Sequence, residues 1–101
     1  MGGWHLLQAN IGANVAVTLP SNFSEVHIKA RYDLNSTKTY FYSMRFIKED
    51  FENNNYSFIG FNNGSANGAQ VQLSSNSITM LAYTFNGSDV SSSAKMSVYY
   101  R

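Results

Sequence analysis

Side chains able to do chemistry are few in this chain and widely spaced. His5 and His27 are its two histidines. Neither has a carboxylate at the local spacing that a metal site or a base–orienter pair requires. Of the six acids, three crowd into Glu49-Asp50-Phe51-Glu52. Glycoside hydrolysis needs two carboxyls facing each other across a cleft, roughly 5–9.5 Å apart, and neighbours on one turn do not supply that. Glu25 and Asp33, both near one strand, are the remaining pair to test for it. The acid cluster and the asparagines after it offer calcium hard oxygen ligands, but not at the spacing of a calcium loop, so a solvated loop is the simpler reading. The chain has no cysteine, which removes thiol nucleophiles, zinc–cysteine sites and disulfides. Its serines sit in no Gly-x-Ser-x-Gly elbow. Apart from Glu25 and Asp33, on which a glycan hydrolase or lyase reading would rest, these residues form no catalytic or metal-binding pattern, and no cofactor is expected.

Candidate binding chemistry lies in asparagine-rich loops, for which plain connection of strands is the simpler reading. An Asn amide both donates and accepts, which suits hydroxyl-rich ligands. Asn53, Asn54, Asn55 and Tyr56 form one candidate loop; Asn62, Asn63 and Asn67 belong to a second run of loop formers, residues 62–68. Both are long for hairpin connections and lie close to Phe51, Tyr56, Phe58 and Phe61. Loops held on a rigid β scaffold are common binding sites. Trp4, the only tryptophan, would stack on sugar rings if exposed; beside Leu6 and Leu7 it reads first as structural. Five Asn-x-Ser/Thr triplets occur, as expected of a chain this rich in both residue types.

The elements that must position these loops are strands. Residues 25–34 give the clearest pattern: Val26, Ile28, Ala30 and Tyr32 point one way, His27, Lys29, Arg31 and Asp33 the other, the period of a half-buried strand. Pro20 ends the strand before it, and Ser21, Asn22 and Ser24 favour the intervening turn. Further strands are predicted over residues 4–8, 15–19, 39–47, 56–61, 69–74, 77–85 and 95–101. In the second, Val15, Val17 and Leu19 are expected inward. Residues 77–85 are apolar on both faces, which predicts a central strand covered on both sides. About eight strands separated by Gly/Asn/Ser turns predict an all-β antiparallel sandwich, jelly-roll-like. Residues 4–101 read as one domain, and residues 1–3 as an added or truncated start.

Only 13% of the chain is charged and its net charge is +1. With no basic stripe, nucleic acid is a poor partner. No apolar run approaches the ~18 residues of a membrane span, and no signal peptide is visible. Twelve Asn and fourteen Ser, with 15% aromatics, fit an extracellular or virion-surface domain with an adaptable recognition surface. Apolar residues beyond one core face, such as Phe41, Ile47 and Ile59, predict an oligomer if the sandwich cannot bury them.

Trp4 before Leu6-Leu7, the turn Leu19-Pro20-Ser21-Asn22-Phe23-Ser24-Glu25 leading into its strand, and the terminal Ser97-Val98-Tyr99-Tyr100-Arg101 carry a family likeness. Together they resemble the C-terminal domains of tail-fibre, baseplate and receptor-binding proteins of phages and prophages. The resemblance implies a small β-sandwich, usually trimeric, at the distal end of a fibre or on the virion surface. It implies adhesion to a host surface glycan or protein, not catalysis. It carries over no site residue, and no stalk precedes Trp4. The function expected is a homotrimeric adhesion or assembly domain. The alternative is a monomeric carbohydrate-binding module of a cell-wall-active enzyme, with Trp4 or Tyr56 as its stacking platform.

Overall fold

Period-two alternation, interrupted at a few identifiable points, decides the architecture. The computed structural model describes residues 3–62 and 66–101, with the backbone alone at 61 and 62. Its strands are β1 (His5–Ile11), β2 (Ala16–Thr18), β3 (Glu25–Asn35), β4 (Lys38–Ile47), β5 (Asn55–Asn62), β6 (Ala66–Ser74), β7 (Ser77–Phe85), β8 (Ser88–Asp89) and β9 (Lys95–Tyr100). One 3-10 turn (Lys48–Phe51) joins β4 to β5. Sheet I has the order β1-β9-β3-β4; sheet II has the order β2-β7-β6-β5, with β8 also on β7. Every pairing is antiparallel. The chain is thus an all-β antiparallel sandwich. Pairing of β1 with β9 and β2 with β7 nests its two ends, as in a jelly roll, while β3–β4 and β5–β6–β7 run as hairpins. Among the described residues no helix is long and apolar enough to cross a membrane.

The core lies between β3 and β9 on one side and β6 and β7 on the other. Val26, Ile28, Ala30, Met96 and Val98 of sheet I, with Val71, Ile78 and Met80 of sheet II, are fully buried. Phe23 and Phe51 close one end, ring centroids 5.0 Å apart and edge to face. The predicted turn forms as the Phe23 N–H bonds back to the Pro20 carbonyl at 3.0 Å. Asn76 docks that turn onto sheet II: its backbone carbonyl accepts from Leu19 N at 2.6 Å, and its side-chain amide donates to the Leu19 carbonyl at 3.2 Å. Arg101 joins the last residue to the start of β3, exchanging backbone hydrogen bonds with Glu25 at 2.9 and 3.1 Å.

Bulges change which residues are inside. In β7, Met80 pairs with Val71 and Ala82 with Gln70, leaving Leu81 as an extra residue. The alternation changes phase there, so the buried set runs Ile78, Met80, then Tyr83. The two-faced hydrophobicity of residues 77–85 comes partly from that phase change. β1 has two irregularities in its pairing with β9, and Asn10 takes a left-handed φ of 57°. Ile11, beyond the strand predicted over residues 4–8, therefore ends β1 and is buried. Val15 precedes β2 and is 47% exposed, while Val17 and Leu19 enter the core as predicted. β4 is an edge strand: of its inward set only Phe46 is buried, and Tyr40 and Met44 stay exposed.

Among the described residues no charged or polar residue is buried, but Tyr83, itself fully buried, has a hydroxyl with no hydrogen-bond partner there. Burial, and secondarily the neighbouring Tyr42 phenol, push its pKa from 10.0 up to about 12. Between those values the unfolded chain ionises this tyrosine while the folded chain keeps the proton. The contribution is therefore full below pH 10 and is lost as pH rises toward 12. Tyr83→Phe removes both the unpaired hydroxyl and this loss. Urea melts near neutral pH should show it unchanged or about 1 kcal/mol more stable, with a larger gain at about pH 11. A loss of stability at both pH values would contradict the unpaired hydroxyl.

Candidate functional site

β5, the outer strand of sheet II, has two kinds of face. Ile59 is buried and Ser57 half-buried, while Tyr56 and Phe58 are 56% and 72% exposed. The register explains this. Tyr56 and Phe58 lie opposite Gln72 and Gln70 of β6, which alternate with the buried Val71 and Leu73. Two aromatic rings, two residues apart and about 7 Å along the strand, thus stand on the outer surface beside two amides. The Gln72 amide donates to Asn54 Oδ1 at 2.7 Å and to the Tyr56 hydroxyl at 3.4 Å, which orients both groups.

Beyond Phe58, the next outward position is glycine on both strands. Gly60 of β5 pairs with Gly68 of β6, at φ of 141° and 127°. A Cβ on Gly60 would strike the Asn67 carbonyl oxygen, and one on Gly68 the Ile59 carbonyl oxygen. The backbones lie too close for anything but glycine. The result is a hollow of about 290 Å³ with a bare backbone floor, bounded by Phe58, Asn67 and Thr84. A second hollow of about 420 Å³ adjoins Tyr56 and includes Arg45, Asp50 and Asn55. Flat aromatic faces pack against the C–H faces of a ring, and the neighbouring amides both donate and accept. The arrangement suits a neutral, hydroxyl-rich ligand.

The structure divides the predicted loop residues. Asn54 and Tyr56 join the Gln72 network. Asn53 is exposed, and both it and Asn54 adopt left-handed φ, 68° and 48°. Asn55 serves the fold: its amide donates to the Asp50 and Glu52 carbonyls at 2.8 and 2.7 Å. Asn67 lines the glycine hollow, and its Oδ1 accepts from Asn86 N at 3.0 Å, tying two turns together. Asn62 pairs with Ala66 through the backbone, and Asn63 lies outside the described residues. The two loops sit at opposite ends of β5, roughly 23 Å apart, so they do not make one site. The outer face of the strand between them is the candidate surface. Phe58 was missed as a site residue because Tyr-Ser-Phe-Ile reads as apolar on both faces. The one sign of its orientation was the outward Gln70 and Gln72 of the next strand.

Four of the six acids, Glu25, Asp33, Asp50 and Asp89, have partners within the fold. Asp50 Oδ2 accepts from Ile47 N at 2.9 Å at the start of the 3-10 turn, whose Phe51 is core. Phe51 thus leaves the set of aromatics beside the loops. Glu25 holds Arg101 at 2.8 Å, and Asp33 accepts from Thr39 at 2.7 Å. On one strand and eight residues apart, Glu25 and Asp33 are separated by about 26 Å, too far for paired acid catalysis. Among the described residues no group of three or more His, Asp or Glu could hold a metal. In a polar hollow of about 510 Å³ between the 12–14 and 89–92 turns, Asp89 and Ser91 are engaged with each other. Ser91 bonds Asp89 through both its hydroxyl and its N–H, holding that carboxyl below its usual pKa, and also accepts from Tyr83 N at 2.9 Å. Trp4 is half-buried on the outer face of sheet I, not in the core.

No family model, curated protein or solved structure matches the chain. The close approach of the glycine pair can be checked directly. Gly68→Ala should destabilise the chain by more than Gly87→Ala. Gly87 has a positive φ but open space around it, so alanine there costs about 1 kcal/mol of backbone strain. At Gly68 the backbone of β5 must also move. Equal denaturation midpoints for the two variants would contradict the close approach.

Proposed function

We propose that this chain is a non-enzymatic adhesion domain that recognises a cell-surface glycan through the outer face of β5 and β6. The observation that carries the reading is the adjacent pair Tyr56 and Phe58, exposed on one face beside the amide network of Gln72 and Asn54. Buried area gives no reason for Phe58, the most exposed large apolar residue among those described, to be aromatic. A stacking role gives one. The alternating sheet fixes the spacing of the two backbone positions that carry the rings, which lowers the ordering cost at binding. The sequence resemblance supports a place on a phage tail fibre or virion surface, and the exposed Leu34, Tyr40 and Met44 support assembly into a homotrimer.

A monomeric carbohydrate-binding module is the second reading. It is favoured by the completeness of the aromatic face within one chain. Light scattering after size exclusion separates the two: the adhesion reading expects three times the 11.3 kDa chain mass, and a monomer at every concentration would favour the module. Glycan-array screening followed by titration tests recognition itself. Phe58→Ala should weaken binding of any hit by about tenfold or more, as for loss of a stacking contact of 1–3 kcal/mol, with the thermal midpoint unchanged. Full binding by Phe58→Ala would overturn the assignment of the face.

A further inference from the structure

The outer face of sheet I shows a second, chemically different hollow. It measures about 230 Å³ and is lined by Trp4, His27, Lys29 and Tyr99. His27 lies between the two other rings, 5.6 Å from Trp4 and 6.3 Å from Tyr99, edge-on to both. The Arg101 guanidinium lies over one face of the Trp4 ring, 4.4 Å from its centroid, which leaves the opposite face and the edge to the hollow. The polar side of β3, expected from sequence to meet water, therefore carries an aromatic box.

Charge is segregated onto this face. Lys29, Arg31, Arg45, Lys95 and Arg101 all belong to it, against Glu25 and Asp33. That leaves an excess of three positive charges, in a chain whose net charge is +1. Both acids are already engaged: Glu25 by Arg101 at 2.8 Å and Arg45 at 4.0 Å, Asp33 by Arg31 at 3.6 Å. Lys29 has no carboxylate within 4 Å among the described residues; its ammonium rests 4.2 Å from the Phe41 ring centroid. A second copy of this face would bring like charge against like.

We infer that this hollow is a second binding site, for a single acidic sugar residue whose ring packs against Trp4 and Tyr99 and whose carboxylate meets Lys29. The hollow is smaller than the roughly 300–1,000 Å³ of drug-sized sites, which limits it to about one ring. Its aromatic walls call for a ligand with C–H faces, and its one carboxylate-free lysine calls for a single negative charge. The site lies on the opposite sheet from Phe58, and the two readings stand or fall separately.

Trp4 is the only tryptophan and lines the hollow, so its fluorescence reports occupancy directly. The probes are trigalacturonate and 3′-sialyllactose, with the methyl ester of the first and lactose as neutral counterparts. At least one acidic probe should shift or quench Trp4 emission saturably, its neutral counterpart should not, and added salt should weaken the effect. Lys29→Gln should weaken binding by about tenfold, the loss of one charge-assisted hydrogen bond. Lys29→Arg should retain most of it, and both variants should melt as wild type because Lys29 is exposed. Three results would overturn the proposal. One is no response to either acidic probe, and another is equal response to the neutral counterparts. The third is a Trp4 emission that moves with protein concentration and not with ligand, which would assign the face to a second copy of the chain.

Discussion

Residues 26–31 of β3 are hydrogen-bonded along both edges, to β9 on one side and β4 on the other. The rest of the structure depends on that double pairing. It holds Val26, Ile28 and Ala30 in fixed register against Met96 and Val98, so the inner face of sheet I forms one continuous apolar layer. A one-residue slip of β3 would turn that layer outward and bury His27, Lys29 and Arg31. The start of the strand is locked twice more, by the exchange between Glu25 and Arg101 and by Lys48 N on the Ser24 carbonyl at 3.0 Å. The turn before it is held to sheet II through Asn76. One stretch of chain thus joins both sheets and the last residue.

A rigid core of this kind leaves the outer faces free to specialise. β5 is the edge strand of sheet II, and among the described residues no third layer packs on the outer face of that sheet, so Tyr56 and Phe58 stay exposed there. Exposed apolar edges are ordinarily a liability for association. Here the strand carries its two rings beside glutamine amides and then drops its side chains at Gly60 and Gly68, which turns an edge into a shallow trough. On the opposite sheet the same alternation brings Trp4, His27 and Tyr99 together among cations. One face is neutral and amide-rich, the other aromatic and basic, and the difference comes from which residues occupy alternate positions on strands of similar geometry.

Much of this was legible in the sequence, for physical reasons that also mark where it stopped being so. Alternation along residues 25–34 fixed a core face because a strand has a strict period of two. Pro20 ended its strand because it has no N–H. The phase changes in β1 and β7 were not legible: a bulge such as that at Leu81 is made by pairing with a neighbour, and Leu suits a regular strand equally well. β5 was ambiguous because Tyr56, Phe58 and Ile59 are all apolar, and only pairing with Gln70 and Gln72 chose the outward set. The asparagines misled for a different reason. An amide that donates and accepts serves a turn as well as a ligand, and Asn55 and Asn67 are used by the fold. Lys29 read as part of a wet face because the approach of Trp4 and Tyr99 to His27 depends on strands far apart in sequence.

The central claim is that ligand contact occurs on the rings of β5. Intermolecular nuclear Overhauser effects between a glycan and the isotope-labelled protein measure that contact most directly. The account predicts cross-peaks from sugar ring protons to the aromatic protons of Tyr56 and Phe58, with amide shifts concentrated at Gln70 and Gln72. Cross-peaks confined to the turns at 12–14 and 89–92, with none to either ring, would contradict it.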